Sequence, residues 1–286
     1  MRVPPPQQTR ITQHGIFRWV DRSVVFGRLS KLCGAMDSGG EDDSGIEQRQ
    51  AEALAAARSQ ARSELESVFS ALYPPDLPEE DGMKTSRNER LSKGYQSIAL
   101  TYGEVSATGF SDILAKVQDS YGGLPEKDGV FYDLGCGTGK PVFAAATMHP
   151  WHRCIGMEIL GDLHGICLKA LERWEGGLRH KVTVGETKGG AAEIEFVCGD
   201  FTVLDWSDGD VVFANSTCFG DDLMKKLAQG AAALKEGAIV VTMTDPVPSP
   251  AFEVLEETVM NQAGRCATTC YIQRRVAKPP PSFGPV

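Results

Sequence analysis

Short apolar runs alternate with longer helical segments through the main part of the chain, from about residue 88 onward. The runs that predict strands are GVFYDL (129–134), RCIGMEI (153–159), IEFVC (194–198), DVVFAN (210–215) and AIVVTM (238–243). The segments that predict helices lie near 140–148, 161–175, 221–234 and 251–262. This alternation indicates an α/β fold with a doubly wound, mostly parallel sheet that helices cover on both faces. A last alternating run, TTCYIQRR (268–275), predicts a strand at the end of the sheet.

The N-terminal part of the chain has a different composition. Its first 36 residues contain six basic residues against one acid, Asp21, which is typical of a disordered tail, a transit peptide or a basic arm. The acidic stretch SGGEDDSG (38–45) separates this arm from residues 46–73, which lack Gly and Pro and predict one long helix. The stretch PPDLPEEDG (74–82) ends that helix. The six basic residues are Arg2, Arg10, Arg18, Arg22, Arg28 and Lys31.

These changes in composition divide the chain into four predicted parts. We expect a basic and then acidic disordered tail at 1–45, and a helical extension with its linker at 46–87. The main domain spans 88–276, and the stretch ending in PPPSFGPV forms a second disordered tail at 277–286.

The net charge of −9 indicates that the molecule as a whole repels polyanions, so any contact with nucleic acid is local. The basic stretches available for such a contact are the N-terminal arm and a short cluster of Arg274, Arg275 and Lys278. The eight cysteines form no CxxC pair and no zinc-like cluster, which indicates free thiols in a reducing compartment, the nucleus or cytoplasm, and no metal. No run of about 18 apolar residues predicts a membrane span.

The string FYDLGCGTGK (131–140) predicts a ligand loop between a strand and a helix. Its strand stops at Asp133, glycines follow at 135, 137 and 139, and the helix begins near Lys140. A dinucleotide fingerprint requires its third glycine at 140, where Lys140 stands, and a P-loop requires a different spacing. The string resembles the first motif of class I methyltransferases that use S-adenosylmethionine (SAM).

Two further strand ends carry candidate ligand groups. Glu158, 25 residues after Asp133, ends the second strand and can accept hydrogen bonds from both ribose hydroxyls. The third strand ends in CGDF (198–201), where Asp200 and Phe201 are candidates for the adenine amino group and ring. Because open α/β sheets bind ligands at the carboxyl ends of their strands, we expect these groups to lie close together.

The stretch VVFANSTCF (211–219) follows the fourth strand, and TYGEVSATGF (101–110) precedes the glycine loop. With these two segments the chain resembles one family, the non-SET lysine methyltransferases named for disruption of telomeric silencing. The similarity lies in a Tyr-Gly-Glu segment, an Asp-Leu-Gly-x-Gly-x-Gly loop, a Gly-Asp-Phe and an Asn-x-x-x-Phe, over roughly residues 90–276. The matching positions are Tyr102, Gly103, Glu104, Asp133, Gly135, Gly137, Gly199, Asp200, Phe201, Asn215 and Phe219.

The resemblance implies SAM as the cofactor and a core histone on the nucleosome as the protein substrate, hence a chromatin regulator of the nucleus. It implies that residues 101–109 close over the cofactor and that Asn215 lies near its methionine part and the incoming amine. The candidate catalytic residues are Asn215, which would align the methyl donor with the amine, and Tyr102 and Phe219, which would form an apolar aromatic slot that lowers the pKa of a substrate lysine by desolvation. The candidate cofactor-binding residues are Tyr102, Gly103, Glu104, Asp133, Gly135, Gly137, Lys140, Glu158, Asp200, Phe201 and Asn215.

The chain departs from the family pattern at three places. Val105 stands where the family usually has a hydroxyl residue, although Ser106 and Thr108 follow closely. The aromatic residues of the family's lysine channel have no counterpart at 262–264, and a lysine-rich tract is missing beside the domain. Two alternatives therefore stay open: a methyltransferase of the same fold that acts on a non-histone protein or a small molecule, and a SAM-binding module without catalysis.

Overall fold

The computed structural model of the chain describes residues 52, 59, 62, 63, 65–184, 187, 188, 192–260 and 267–276. The tails expected at 1–45 and 277–286 lie outside the described residues, as does most of the first part of the helix expected at 46–73.

Nine strands are described, and seven of them form one sheet in the order β5-β2-β1-β6-β7-β9-β8. The first five in this order run parallel, whereas β9 is antiparallel to both β7 and β8. The expected mostly parallel, doubly wound sheet is thus confirmed. The strands are β1 (Val130–Leu134), β2 (Arg153–Glu158), β3 (Thr183–Val184), β4 (Thr187–Lys188), β5 (Glu193–Cys198), β6 (Val211–Ala214), β7 (Ile239–Met243), β8 (Phe252–Met260) and β9 (Thr268–Arg275).

Six α-helices accompany the sheet among the described residues. Those expected near 140–148, 161–175 and 221–234 are present, and within the expected N-terminal helix the described residues 52, 59, 62, 63 and 65–72 are helical. The second and third helices were not predicted, and the second crosses residues 87 and 88, where the sequence suggested a boundary. The helices are α1 (65–72), α2 (Gly82–Lys93), α3 (Ala107–Tyr121), α4 (Lys140–Met148), α5 (Gly161–Arg173) and α6 (Asp221–Ala231).

The sheet has an apolar core on each face. Phe131 of β1 and Phe213 of β6 point to one face, where they meet Phe110 of α3 and the apolar side of α4. The next residues along the same strands, Tyr132 and Val212, point to the other face and pack with α6. Because side chains alternate along a strand, strands buried on both faces read as the continuous apolar runs seen in the sequence.

The helix predicted near 251–262 is wrong, because this segment forms β8. It pairs antiparallel with β9 from Phe252 opposite Arg275 to Met260 opposite Thr268. The acids of the segment gave it a helical composition, but Glu256 binds across to α3 instead, pairing with Lys116 and accepting a hydrogen bond from Tyr121. Tertiary pairing therefore overrides the local helix preference.

The parallel strands place their carboxyl ends at one edge of the sheet. Leu134 at the end of β1 lies opposite Met157 of β2, and Glu158 lies opposite Cys198 at the end of β5. Asp133 of β1 lies opposite Phe213, one residue before the end of β6. The loops that follow these strands therefore meet, as expected for a ligand site in an open α/β sheet.

The described part of the chain shows no sign of a membrane span, a disulfide bond or a metal site. No helix there is both long and apolar enough to span a membrane. The six described cysteines form no disulfide bond. No group of His, Cys, Asp or Glu side chains in these segments has an arrangement that could hold a metal ion.

Candidate active site

The glycine loop connects β1 to α4 through three residues with positive φ. Gly135, Gly137 and Gly139 have φ values of +79°, +58° and +85°, which other residues rarely adopt. A Cβ atom on Gly137 would lie 2.5 Å from Cε2 of Tyr102, so no side chain fits at that position. The loop is therefore a cradle of bare backbone, and α4 begins at Lys140 as predicted.

Asp133 is buried beneath this loop with only about 1% of its surface exposed. Neither carboxyl oxygen has a hydrogen-bond partner among the described residues. Burial raises the pKa of Asp133 well above its usual value, and the nearby Glu158 raises it further. A buried, unpartnered carboxylate costs free energy unless a ligand supplies donors or positive charge. SAM carries an ammonium group and a sulfonium, so the residues present fit this cofactor.

Glu158 supports the glycine loop from the end of β2. Its two carboxyl oxygens accept hydrogen bonds of 2.8 Å from the backbone N–H groups of Gly137 and Leu160. Burial raises the pKa of Glu158 to about 7, although these backbone hydrogen bonds act in the opposite direction. A carboxylate has about four acceptor positions, more than these backbone hydrogen bonds occupy, so Glu158 could also accept a ribose hydroxyl. The predicted ribose contact remains a prediction, and the carboxylate also has a structural role in the loop.

Phe201 and Phe219 stack on each other, with ring centroids 5.8 Å apart and planes 19° apart. Both rings are partly buried against the core on the α6 face of the sheet. Phe219 also reaches the glycine loop, because a Cβ atom on Gly135 would lie 4.0 Å from its Cζ. Asp200 accepts a 2.8 Å hydrogen bond from the backbone N–H of Thr202 within its own turn. The two strand-end segments thus bring one aromatic pair to the site.

Tyr102, Glu104, Thr138 and Lys140 form one hydrogen-bonded network. The Tyr102 hydroxyl lies 2.9 Å from both Glu104 Oε2 and Thr138 Oγ1, and Glu104 Oε1 accepts from Lys140 Nζ at 2.5 Å. The Tyr102 ring packs with a small apolar cluster that includes Leu160. These contacts join the Tyr-Gly-Glu segment to the glycine loop. Through these hydrogen bonds, Tyr102 and Lys140 hold the glycine loop in place.

The polar residues after β6 have separate contacts. Asn215 Nδ2 donates to the carbonyl oxygen of Gly103 at 2.8 Å, and the Thr217 hydroxyl donates to Asn215 Oδ1 at the same distance. The buried Ser216 hydroxyl donates to the Met243 carbonyl at 2.6 Å and accepts from the Met243 N–H at 2.9 Å. Ser216 therefore fastens the end of β6 to β7, whereas Asn215 joins the Tyr-Gly-Glu segment to the strand ends.

Residues 101–106 are the non-helical part of the segment that was expected to close over the cofactor. Residues 107–109 already belong to α3, whose N-terminus is capped by Ser106, the side chain of which accepts from the Gly109 N–H at 3.0 Å. Val105, the departure from the family pattern, is 4% exposed and packs in the core. An apolar residue therefore fits this position.

The sequence did not indicate three residues that shape the site. Glu89 of α2 is buried and accepts hydrogen bonds of 2.9 Å from the N–H groups of Gly161 and Asp162, so it caps α5. Its charge is paired with Lys93, at 2.5 Å. Thr138 of the glycine loop is bound through its carbonyl oxygen by Tyr73 and through its side-chain hydroxyl by Tyr102. Only Thr138 had a local signal, as a hydroxyl residue between two glycines.

The comparisons with known proteins give a family and several distant structures. The model of the family described as "Histone methylation protein DOT1" matches residues 84–268. The search of curated proteins found no match. Similar solved structures include TrmN from Thermus thermophilus, with 18% identity, coverage of 58% of this chain and 48% of that chain, and a TM-score of 0.41.

Two further similar structures are methyltransferases by name. A SAM-dependent methyltransferase from Methanosarcina mazei has 13% identity and a TM-score of 0.41, with 56% of this chain and 97% of that chain covered. The rRNA methyltransferase AviRa from Streptomyces viridochromogenes has 16% identity and a TM-score of 0.42, with coverage of 60% and 86%.

Proposed function

We propose a function from one premise: the chain belongs to the DOT1 histone methylation protein family, whose model matches more than half of it. Membership makes the chain a SAM-dependent methyltransferase. We propose further that it transfers the methyl group to the Nζ atom of a protein lysine, with a core histone as the first substrate, and that it acts in the nucleus.

One hydrogen bond supports the proposal of a lysine substrate, beyond methyl transfer in general. The hydrogen bond from Asn215 Nδ2 to the Gly103 carbonyl joins the two segments that are most selective for lysine methyltransferases of this family. It fixes the Tyr-Gly-Glu segment against the end of β6, beside the stacked pair of Phe201 and Phe219. The segments that carry the resemblance are thus in contact, although they lie 112 residues apart.

The residues of the chain that would hold SAM are the glycine loop, Asp133 and Glu158. When bound, SAM supplies an electrophilic methyl group on a positively charged sulfur. The bare backbone of Gly135 and Gly137 admits a ligand close to the chain, and the buried Asp133 carboxylate offers a counter-charge. Asn215 and the Tyr-Gly-Glu segment then close the site from the other side.

In the reaction, the residues of the chain align the two reactants and exclude water. A lysine Nζ must first lose a proton to water, since its ordinary pKa of about 10.4 keeps it charged. An apolar slot bordered by Phe219 lowers that pKa by desolvation. The neutral Nζ would then be held in line with the methyl group that bound SAM supplies. Aligning the two reactants in this way can contribute on the order of 7–11 kcal/mol, so no strong base is needed.

Because the net charge of −9 repels DNA as a whole, any contact of the chain with a nucleosome is local. The C-terminal cluster is a poor candidate for this contact, because Arg275 is 4% exposed and binds the Ala251 carbonyl, and Arg274 donates to the Tyr121 carbonyl at 2.8 Å. We therefore propose that the basic N-terminal arm provides the contact. Nucleosome binding is then weak, and free histones are accepted at least as readily.

Methyl transfer from tritiated SAM tests this function. Nucleosomes, free core histones and an extract are offered to the full-length chain and to a full-length variant whose six basic arm residues are replaced by glutamine. We expect histone labelling by both proteins, with weaker nucleosome labelling by the variant. Labelling of an extract protein instead of histones would move the substrate to a non-histone protein. SAM binding with no labelled acceptor would favour a non-catalytic module.

A further inference from the structure

Tyr73, which follows α1, contacts the glycine loop from outside the part of the chain that the family model matches. Its hydroxyl donates to the carbonyl oxygen of Thr138 at 2.9 Å. Its ring packs edge-on against Phe143 of α4, and the Lys140 ammonium lies 4.8 Å from the ring centroid. Tyr73 therefore contacts both the last turn of the glycine loop and the first turn of the helix that follows.

Thr138 is held from two sides by tyrosine hydroxyls. Tyr73 binds its carbonyl oxygen, and Tyr102 lies 2.9 Å from its side-chain hydroxyl. The glycines on either side have φ values of +58° and +85°. Because glycine adopts positive and negative φ with similar ease, the loop has little intrinsic preference for this shape. Tyr73 restricts it by binding the peptide group between Thr138 and Gly139, and Tyr102 restricts it by binding the Thr138 side chain.

Residues 72–80 are themselves fastened to α5. Arg173 donates to the Leu72 carbonyl at 2.9 Å and forms a two-pronged pair with Glu80, at 2.7 and 2.6 Å. The side chain of Glu80 is only 6% exposed. Such a bidentate pair fixes orientation as well as distance. Tyr73 is thus held in place by contacts at both ends of a short segment.

We propose that residues 72–80 form a clamp on the glycine loop and that Tyr73 is a positioning residue for SAM binding, which acts through the Thr138 carbonyl. This inference rests on the SAM-binding half of the proposed function and is independent of the methyl acceptor. Burial raises the pKa of Tyr73 well above its usual value, so its hydroxyl stays protonated and can donate.

The first test is the Kd for SAM, measured by calorimetry without any methyl acceptor. Tyr73→Phe keeps the ring, its packing and its contact with Lys140, and removes only the hydrogen bond. We expect the Kd to rise about three- to tenfold, as for the loss of one hydrogen bond. The matched control is Tyr121→Phe, which removes a hydroxyl bound to Leu255 and Glu256 on β8 and should leave the Kd unchanged.

The second test asks whether the clamp acts as a unit. Glu80→Gln weakens the pair with Arg173 and should also raise the Kd for SAM. Combined with Tyr73→Phe, it should raise the Kd by less than the product of the two single effects, because both act through the same loop. If the fold increase in the Kd of the double variant equals that product, the two residues act independently and residues 72–80 are not a single clamp.

The inference is overturned if Tyr73→Phe binds SAM as tightly as the unchanged chain while its Tm falls as in Tyr121→Phe. Tyr73 would then have only a structural role. This outcome leaves the proposed function intact, since it concerns no methyl acceptor. Conversely, a chain that binds SAM but labels no lysine refutes the proposed acceptor and leaves the clamp standing.

Discussion

The buried carboxylate of Glu158 makes the stability of the cofactor-free protein depend on pH. Burial raises the pKa of Glu158 from its usual 4.5 to about 7 in the folded state. Between these two values the folded protein holds a proton that the unfolded chain has released. Stability is therefore fully present below about pH 4.5 and is lost progressively as the pH rises to about 7. Asp133, whose pKa is also raised, contributes in the same direction.

The size of this effect follows from the two pKa values. One pKa unit corresponds to about 1.4 kcal/mol, so Glu158 alone lowers the free energy of unfolding by about 3 kcal/mol across this range. SAM binding opposes the loss, because donors brought to the carboxylate favour its charged form. The stabilisation that saturating SAM provides should therefore increase as the pH rises from about 6 to about 8.

Urea unfolding between about pH 5 and pH 8 measures this dependence in the chain and in Glu158→Gln. The variant has a lower absolute stability, because its amide nitrogen faces a backbone N–H of Gly137 or Leu160. Between about pH 5 and pH 8 its stability should nevertheless fall by about 2.5 kcal/mol less than that of the unchanged chain, because the part of the effect below about pH 5 lies outside the measured range. The control is Glu256→Gln. Burial acts to raise the pKa of Glu256, but the hydrogen bonds from Lys116 and Tyr121 and the charge of Lys116 together outweigh it and lower this pKa, so Glu256 stays charged over this range in the folded chain. Equal pH slopes for the chain and Glu158→Gln would refute the reasoning.

Three further predictions concern single residues. Asn215→Ala should lower turnover at least about tenfold with a much smaller change in the Kd for SAM, and equal activity would make Asn215 purely structural. Gly137→Ala should weaken SAM binding at least about tenfold, because its φ is positive and its Cβ would overlap Tyr102. Gly94→Ala, with φ +68° and no atom within 4 Å, should leave the Kd unchanged. Glu89→Ala should lower the free energy of unfolding in urea by about 2–3 kcal/mol, since it removes the cap of α5, and a loss under about 1 kcal/mol would contradict this.

The sequence predicted those elements of the fold whose structure follows from the pattern of residues within one segment. The apolar runs placed the parallel strands, and the strand-end positions of Asp133 and Glu158 indicated that they would meet, because parallel strands share an edge. The segment 251–262 failed, since its strand pairing is set by β9 and by contacts of Glu256 with α3. No pattern within one segment could have revealed that pairing.

The supporting residues of the site could not be predicted for the same reason. Tyr73 binds a carbonyl 65 residues away, and Glu89 caps a helix that begins 72 residues later. Neither residue carries a local mark of such a role. Arg275 shows the opposite case, because a basic side chain that suggested a surface contact is buried and bound to the backbone.

The most direct test of the central claim identifies the methylated atom. Core histones are incubated with labelled SAM and the full-length chain, and the labelled protein is hydrolysed to amino acids. We expect label in Nε-methylated lysine, strongly reduced when Asn215→Ala replaces the unchanged chain at saturating SAM. Label confined to other amino acids or to small molecules, or equal lysine labelling by both proteins, would contradict it.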